Sequence, residues 1–123
     1  MSFDCIIYPI SYINPNLYLD DDPNFMLSVA VHEFAHMLQY EVADLDADDQ
    51  AWYWEASAEW MAELGASQLD TYAESSWAYA HHPEFAYNSN ANLHPYGMFL
   101  LNAWMDESVD PDAIRRVWAG ARR

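Results

Sequence analysis

The chain has 123 residues, 53% of them hydrophobic, with six tryptophans, nine tyrosines and only three glycines, which suits one domain hiding about two-thirds of its unfolded surface and excludes a disordered segment. Twenty acidic residues face four basic ones, a formal net charge of −16; there is no lysine, and the four arginines are Arg115, Arg116, Arg122 and Arg123. Such a surface repels phosphate backbones and anionic lipid, so nucleic acid and membrane surfaces are not expected as partners, and no segment reaches the roughly twenty apolar residues of a membrane span.

In chain order, Phe3 to Ile10 is short, apolar and β-branched and predicts a strand, with a second around Leu17 to Leu19 after the Asn14-Pro15-Asn16 turn. The same start lacks the basic n-region and long apolar run of a signal peptide. The chain is therefore expected to be either cytoplasmic or an excised mature domain. Cys5, the single cysteine, can form no internal disulfide. Asp22-Pro23 offers an N-cap and a first helical residue for a helix running to about Val42, with Phe25, Val29, His32, His36 and Met37 on its inner side. Residues 43–49 read as an acidic loop. A second helix follows from about Ala51 to Leu64, with Gly65 as its stop. A third covers Leu69 to Ala80, and a polar loop runs from His82-Pro83 past Asn88 and Asn92. Pro95 starts a fourth helix reaching about Asp106, and Asp110-Pro111 caps a fifth that runs to Ala119. The arginine-rich end reads as a helix C-terminus answering its own dipole. The expected fold class is an α-rich α+β domain, one or two N-terminal strands followed by about five helices, with residues 1–123 as one unit. An exposed edge on such a strand is a route to a homo-oligomer.

The chemistry concentrates in His32-Glu33-Phe34-Ala35-His36 and in Glu55. Residues four apart on a helix lie one turn up on nearly the same face, so His32 and His36 can present both imidazoles to one ion. Glu33 lies one step round the helix. From there its carboxylate reaches a water on the metal without being a ligand. Residues 37–54 leave room to end one helix and begin another, which brings Glu55 into range as a third ligand. Two histidines and a glutamate, with one position kept for water, are a catalytic zinc set. Glu59 follows one turn after Glu55 on the same face and is placed to fix the tautomer of an imidazole, assigned here to His32.

These residues resemble the gluzincin group of zinc peptidases: His-Glu-x-x-His, the intervening eighteen residues 37–54, then Trp52-Tyr53-Trp54-Glu55-Ala56-Ser57-Ala58-Glu59-Trp60. Tyr96-Gly97-Met98-Phe99-Leu100-Leu101 and Ile114-Arg115-Arg116-Val117-Trp118 are also similar to the end of a set of secreted bacterial and archaeal metalloproteases, so the resemblance covers about residues 25 to 120. It implies a zincin-like fold, zinc held by His32, His36 and Glu55, a supporting carboxylate at Glu59, and Glu33 as the base in peptide-bond hydrolysis. It also implies a downstream tyrosine or histidine that steadies the oxyanion, for which Tyr96 and then His94 are the candidates. A secreted, extracellular protein follows from it if the chain is a mature domain. No Gly-x-Met-Glu-Asn segment for gripping a substrate amino terminus precedes the first helix, so a peptide or protein substrate cut internally is expected.

Two other readings use the same stretch. Asp44, Asp46 and Asp48 with Glu55 fall at positions one, three, five and twelve of a calcium loop, but Asp49 stands where its sharp turn requires glycine. A looser calcium site on Asp44, Asp46 and Asp48 remains a candidate beside solvated loop charge. The rival function is a non-catalytic helical module with a structural zinc, or an inactive metallopeptidase relative serving as a binding partner. A structural site is closed by a fourth protein ligand, for which His94, His81 and Glu59 are available.

Overall fold

Pro23 opens helix α1 (Pro23–Val42), where its fixed φ suits the first turn and its missing N–H leaves no bond unmade. The computed structural model describes residues 23–42, 47–69 and 72–120. After α1 come α2 (Ala47–Ala66), a 3-10 turn (Ser67–Leu69), α3 (Tyr72–Ala80), α4 (His94–Gly97), α5 (Phe99–Ser108) and α6 (Ala113–Gly120). The α+β class is thereby corrected to a mostly α fold, because the described residues are mostly helical and contain no strand. The strands expected over residues 3–10 and 17–19, and the oligomer contact built on them, lie outside the described residues. The physical reason for the correction is that helices do the covering. The inner side of α1, where His32, Ala35 and Gln39 are buried, is packed by α2 in the most extensive helix pair among the described residues.

Helix α2 is central. Its consecutive residues Ala56, Ser57 and Ala58 are all fully buried, which on a helix with 3.6 residues per turn means neighbours on every side. Besides α1 it packs against α4 and α5. The small side chains of Ala56, Ala58, Ala62 and Ala66 let those helices approach. Gly65 is not the stop that its composition suggests. The helix passes through it to Ala66, and a β-carbon there would stand 3.3 Å from Val31 Cγ1, so the glycine serves the close crossing with α1. Beneath the outer end of this pair, Ile114 and Trp118 of α6 form a core with Val42, Tyr53, Trp54, Trp60 and Met105.

The helix predicted from Pro95 to Asp106 is two helices. Met98 sits between them with φ −69° and ψ −4°, and its N–H reaches back to the carbonyls of His94 and Pro95, a tightened turn that interrupts the regular i to i−4 ladder. Before it, Asn92 takes the left-handed conformation (φ 51°), which asparagine tolerates better than most residues. Gly97 lies hard against α3. A β-carbon there would meet Ser75 O and Tyr79 Cβ at 2.7 Å and Tyr79 N at 2.8 Å, contacts that the helix backbone cannot relieve by a rotamer change. Gly97→Ala is accordingly expected to cost about 1–3 kcal/mol through overpacking, read as a lowered Tm. An unchanged Tm would mean that α3 and α4 are not held this closely.

Arg115 and Arg116 do not answer the C-terminus of α6, while Arg122 and Arg123 lie outside the described residues. Arg115 Nε donates to Asp112 Oδ1 at 3.1 Å and the Arg116 guanidinium to Asp110, both carboxylates preceding the helix, because side chains on a helix point back towards its N-terminus. Both pairs are solvent-exposed and contribute little stability. Among the described residues no helix is long and apolar enough to cross a membrane.

Candidate metal centre

The i, i+4 spacing on α1 sets the rings of His32 and His36 edge to face, with centroids 4.7 Å apart. Glu55, in the third turn of α2, enters from the facing helix. Its Oε2 lies 3.1 Å from His32 Nε2 and 3.3 Å from His36 Nε2, and the three donor atoms fall within 4.8 Å of one another. Tetrahedral ligands about 2.0–2.1 Å from a zinc ion stand about 3.3–3.4 Å apart. The chemistry of the donor set suits such an ion, and the two separations from Glu55 Oε2 lie near that spacing. Three sequence-predicted ligands from two helices have been brought to one point.

Each imidazole is held from behind. Glu59, one turn along α2 from Glu55, has Oε2 2.9 Å from His32 Nδ1, and its other oxygen accepts a 2.5 Å hydrogen bond from Ser75 Oγ of α3. On the second histidine, Nδ1 lies 2.7 Å from Gln39 Oε1. The Gln39 amide in turn donates to Trp54 O at 3.0 Å and to Ser57 Oγ at 2.9 Å. Trp54 also stacks its ring on His36, centroids 5.5 Å apart and nearly parallel. Gln39 and Ser75 are the contributors that sequence reasoning missed. The available signal for Gln39 is its spacing, on the same helical side as His32 and His36; Ser75 has none, since only the packing of α3 brings it to Glu59.

Tyr96, on the short α4, stacks on His32 with centroids 5.5 Å apart. Burial pushes its phenol up to about 12, and the nearby carboxylates of Glu55, Glu33 and Glu59 push the same way. It is thus a proton-bearing donor beside the cluster. Glu33 is half-buried beside His32 and is one of the charges that this phenol senses. His94 is not brought to the cluster. Its ring lies between Tyr79 and Phe85 and is almost wholly buried. His81 stacks on Trp77 with Nδ1 3.0 Å from that residue's carbonyl, and His82 Nδ1 pairs with Glu84 at 3.0 Å. Asp44, Asp46 and the side chain of Asp48 lie outside the described residues, although α2 begins at Ala47, so the helix starts four residues earlier than predicted.

The cluster's charges are strongly shifted in the metal-free protein. Burial alone would lower the His32 pKa, but hydrogen bonds and attraction from Glu55 and Glu59 outweigh it and raise it from 6.5 to about 9. Burial would raise Glu55, and the two imidazoles outweigh that too, lowering it from 4.5 to about 2. The raised histidine contributes stability that is complete below pH 6.5 and is lost as pH climbs through about 9. The depressed glutamate contributes stability that is complete above pH 4.5 and is lost as pH falls through about 2. Stability of the metal-free protein from this cluster is therefore expected to be greatest between pH 4.5 and 6.5. Thermal unfolding across pH checks it; a His32→Gln variant showing the same alkaline fall in Tm as the parent would remove the cluster as its cause.

No curated protein and no solved structure matches the chain. A family model described as "Family of unknown function (DUF6055)" matches residues 13–123, and the chain belongs to that family.

Proposed function

We propose that this chain is a zinc-dependent metallopeptidase of the gluzincin kind that cuts peptide bonds within a chain. The observation that carries the reading is the convergence of His32 Nε2, His36 Nε2 and Glu55 Oε2, with the opposite nitrogen of each ring engaged by a separate acceptor. Three donors, with Glu59 turned to the far side of His32, support a catalytic set over the four-ligand set of a structural zinc. Among the described residues no fourth histidine, cysteine or carboxylate joins them. Under this reading, if the chain is a mature domain, the protein acts outside the cell.

When bound, zinc supplies a Lewis acid that brings the pKa of water to about 7 and polarises a carbonyl. Glu33 takes a proton from the attacking water and passes it to the leaving amine. Its position one residue after His32 keeps the carboxylate beside the ion's ligands without making it one of them. Tyr96, with its phenol held protonated, donates to the developing oxyanion, an interaction typically worth about 3 kcal/mol per well-placed donor. Glu59 and Ser75 hold the His32 ring. The test is metal content and casein cleavage on one preparation. Stoichiometric zinc and chelator-sensitive cleavage are expected; stoichiometric zinc without cleavage of any unfolded protein would end the peptidase reading and leave a metal-binding module.

A further inference from the structure

Gln39 is among the most deeply buried polar residues of the molecule, 2% exposed, and the direction of every hydrogen bond around it follows from where its chain of contacts ends. The carbonyl oxygens of Tyr53 and Trp54 can only accept. Ser57 Oγ therefore donates its proton to Tyr53 O at 2.6 Å, which turns its oxygen towards Gln39 Nε2 as an acceptor at 2.9 Å. The second proton of Nε2 goes to Trp54 O at 3.0 Å. With Nε2 so engaged, the atom that faces His36 Nδ1 at 2.7 Å is the amide oxygen, and an amide oxygen accepts. Of the two acceptors that face the ring, Gln39 Oε1 at 2.7 Å is closer than Glu55 Oε2 at 3.3 Å, which assigns the proton of the neutral His36 imidazole to Nδ1. Its lone pair is left on Nε2, the atom 3.3 Å from Glu55 Oε2.

We propose that Gln39 is a positioning residue for the metal centre: it holds His36 in its Nδ1–H tautomer and fastens α1 to Trp54 O and Ser57 Oγ of α2, on either side of Glu55, so that His36 and Glu55 meet at one ion. The purpose given to this contact rests on the metal reading above; the tautomer does not. The two histidines are thereby supported unequally, His32 by a carboxylate and His36 by a neutral amide. The amide suits this place. Glu33, Glu55 and Glu59 already outweigh the charge of a divalent ion, and a further anion buried beside them would meet their repulsion. An amide also does what a carboxylate cannot, accepting from the ring while donating to Trp54 O and Ser57 Oγ. No other side chain of this length joins both helices with every polar atom satisfied.

The experiment is nitrogen NMR of the His36 ring in the metal-free full chain under mildly alkaline conditions, together with zinc affinity by chelator competition. In the parent, protonation at Nδ1 is expected. Gln39→Met keeps the length and removes the acceptor, so the ring should move to the Nε2–H form and zinc affinity should fall by about 10–100-fold, the usual cost of losing an outer partner of a metal-bound histidine. Gln39→Glu should restore the Nδ1–H form, because a carboxylate oxygen accepts from the ring. A parent ring protonated on Nε2 overturns the proposal without any variant, which keeps the test decisive should Gln39→Met fail to fold. So does a Gln39→Met protein with unchanged tautomer or unchanged zinc affinity. A parent that takes up no zinc would instead defeat the metal reading, with the NMR measurement still deciding what Gln39 does to His36.

Discussion

Replacing Glu33 by glutamine is expected to leave zinc content unchanged and to lower the rate of peptide hydrolysis by about 10²–10⁴-fold, the range that a positioned acid–base group contributes. The substitution is nearly isosteric and removes only the ability to take a proton. Glu33 is not among the three converging donors, so the donor set survives it. The loss should fall on kcat, since proton transfer belongs to the transition state rather than to substrate binding. Tyr96 supplies an internal comparison: Tyr96→Phe keeps the ring that stacks on His32 and removes only the hydroxyl, so a smaller loss of activity with unaltered zinc content is expected. Full activity in Glu33→Gln, measured on zinc-loaded protein, would remove this residue from the base role and with it the mechanism.

Glu55→Ala is expected to abolish stable zinc binding. Glu55 Oε2 is the atom that both imidazole Nε2 atoms approach, at 3.1 and 3.3 Å, and without it two histidines of one helix are left to hold the ion. The fall in affinity should exceed the roughly 10–100-fold that loss of a supporting partner costs. Glu59→Gln makes the contrast, because it alters the partner of His32 Nδ1 and leaves all three donors in place. Metal analysis after dialysis, with calorimetric titration of zinc into each variant, reads both. A Glu55→Ala protein with the parent's zinc affinity would take Glu55 out of the ligand set. The same substitution should also reduce the alkaline sensitivity of the metal-free protein, since Glu55 is one of the two carboxylates that raise His32.

Much of the candidate site is legible in the sequence because it is helical and local. His32, Glu33 and His36 occupy one stretch of a helix whose periodicity alone assigns their directions, and Glu55 and Glu59 repeat that relation on the next helix. What spacing cannot reveal is which surfaces meet. Ser75 reaches Glu59 only because α3 packs beside α4 at Gly97. His94 and Tyr96 are two residues apart and are both candidate donors by sequence, Tyr96 first, and the turn of α4 sends His94 against Tyr79 and Phe85 and Tyr96 onto His32.

The same division holds for the fold. Composition and periodicity by themselves determined a helix-rich domain, the sharing of one helical face by His32 and His36, and a chain with no lysine or arginine before Arg115, because these follow from residue identity and from the geometry of a single element. The all-helical architecture of the described residues was decided only in three dimensions. So were the passage of α2 through Gly65, the break at Met98 and the tautomer that Gln39 imposes on His36. Each depends on how closely two backbones can approach, or on which acceptor remains once its neighbours are engaged. Those are properties of pairs of elements, and no single stretch of sequence contains them.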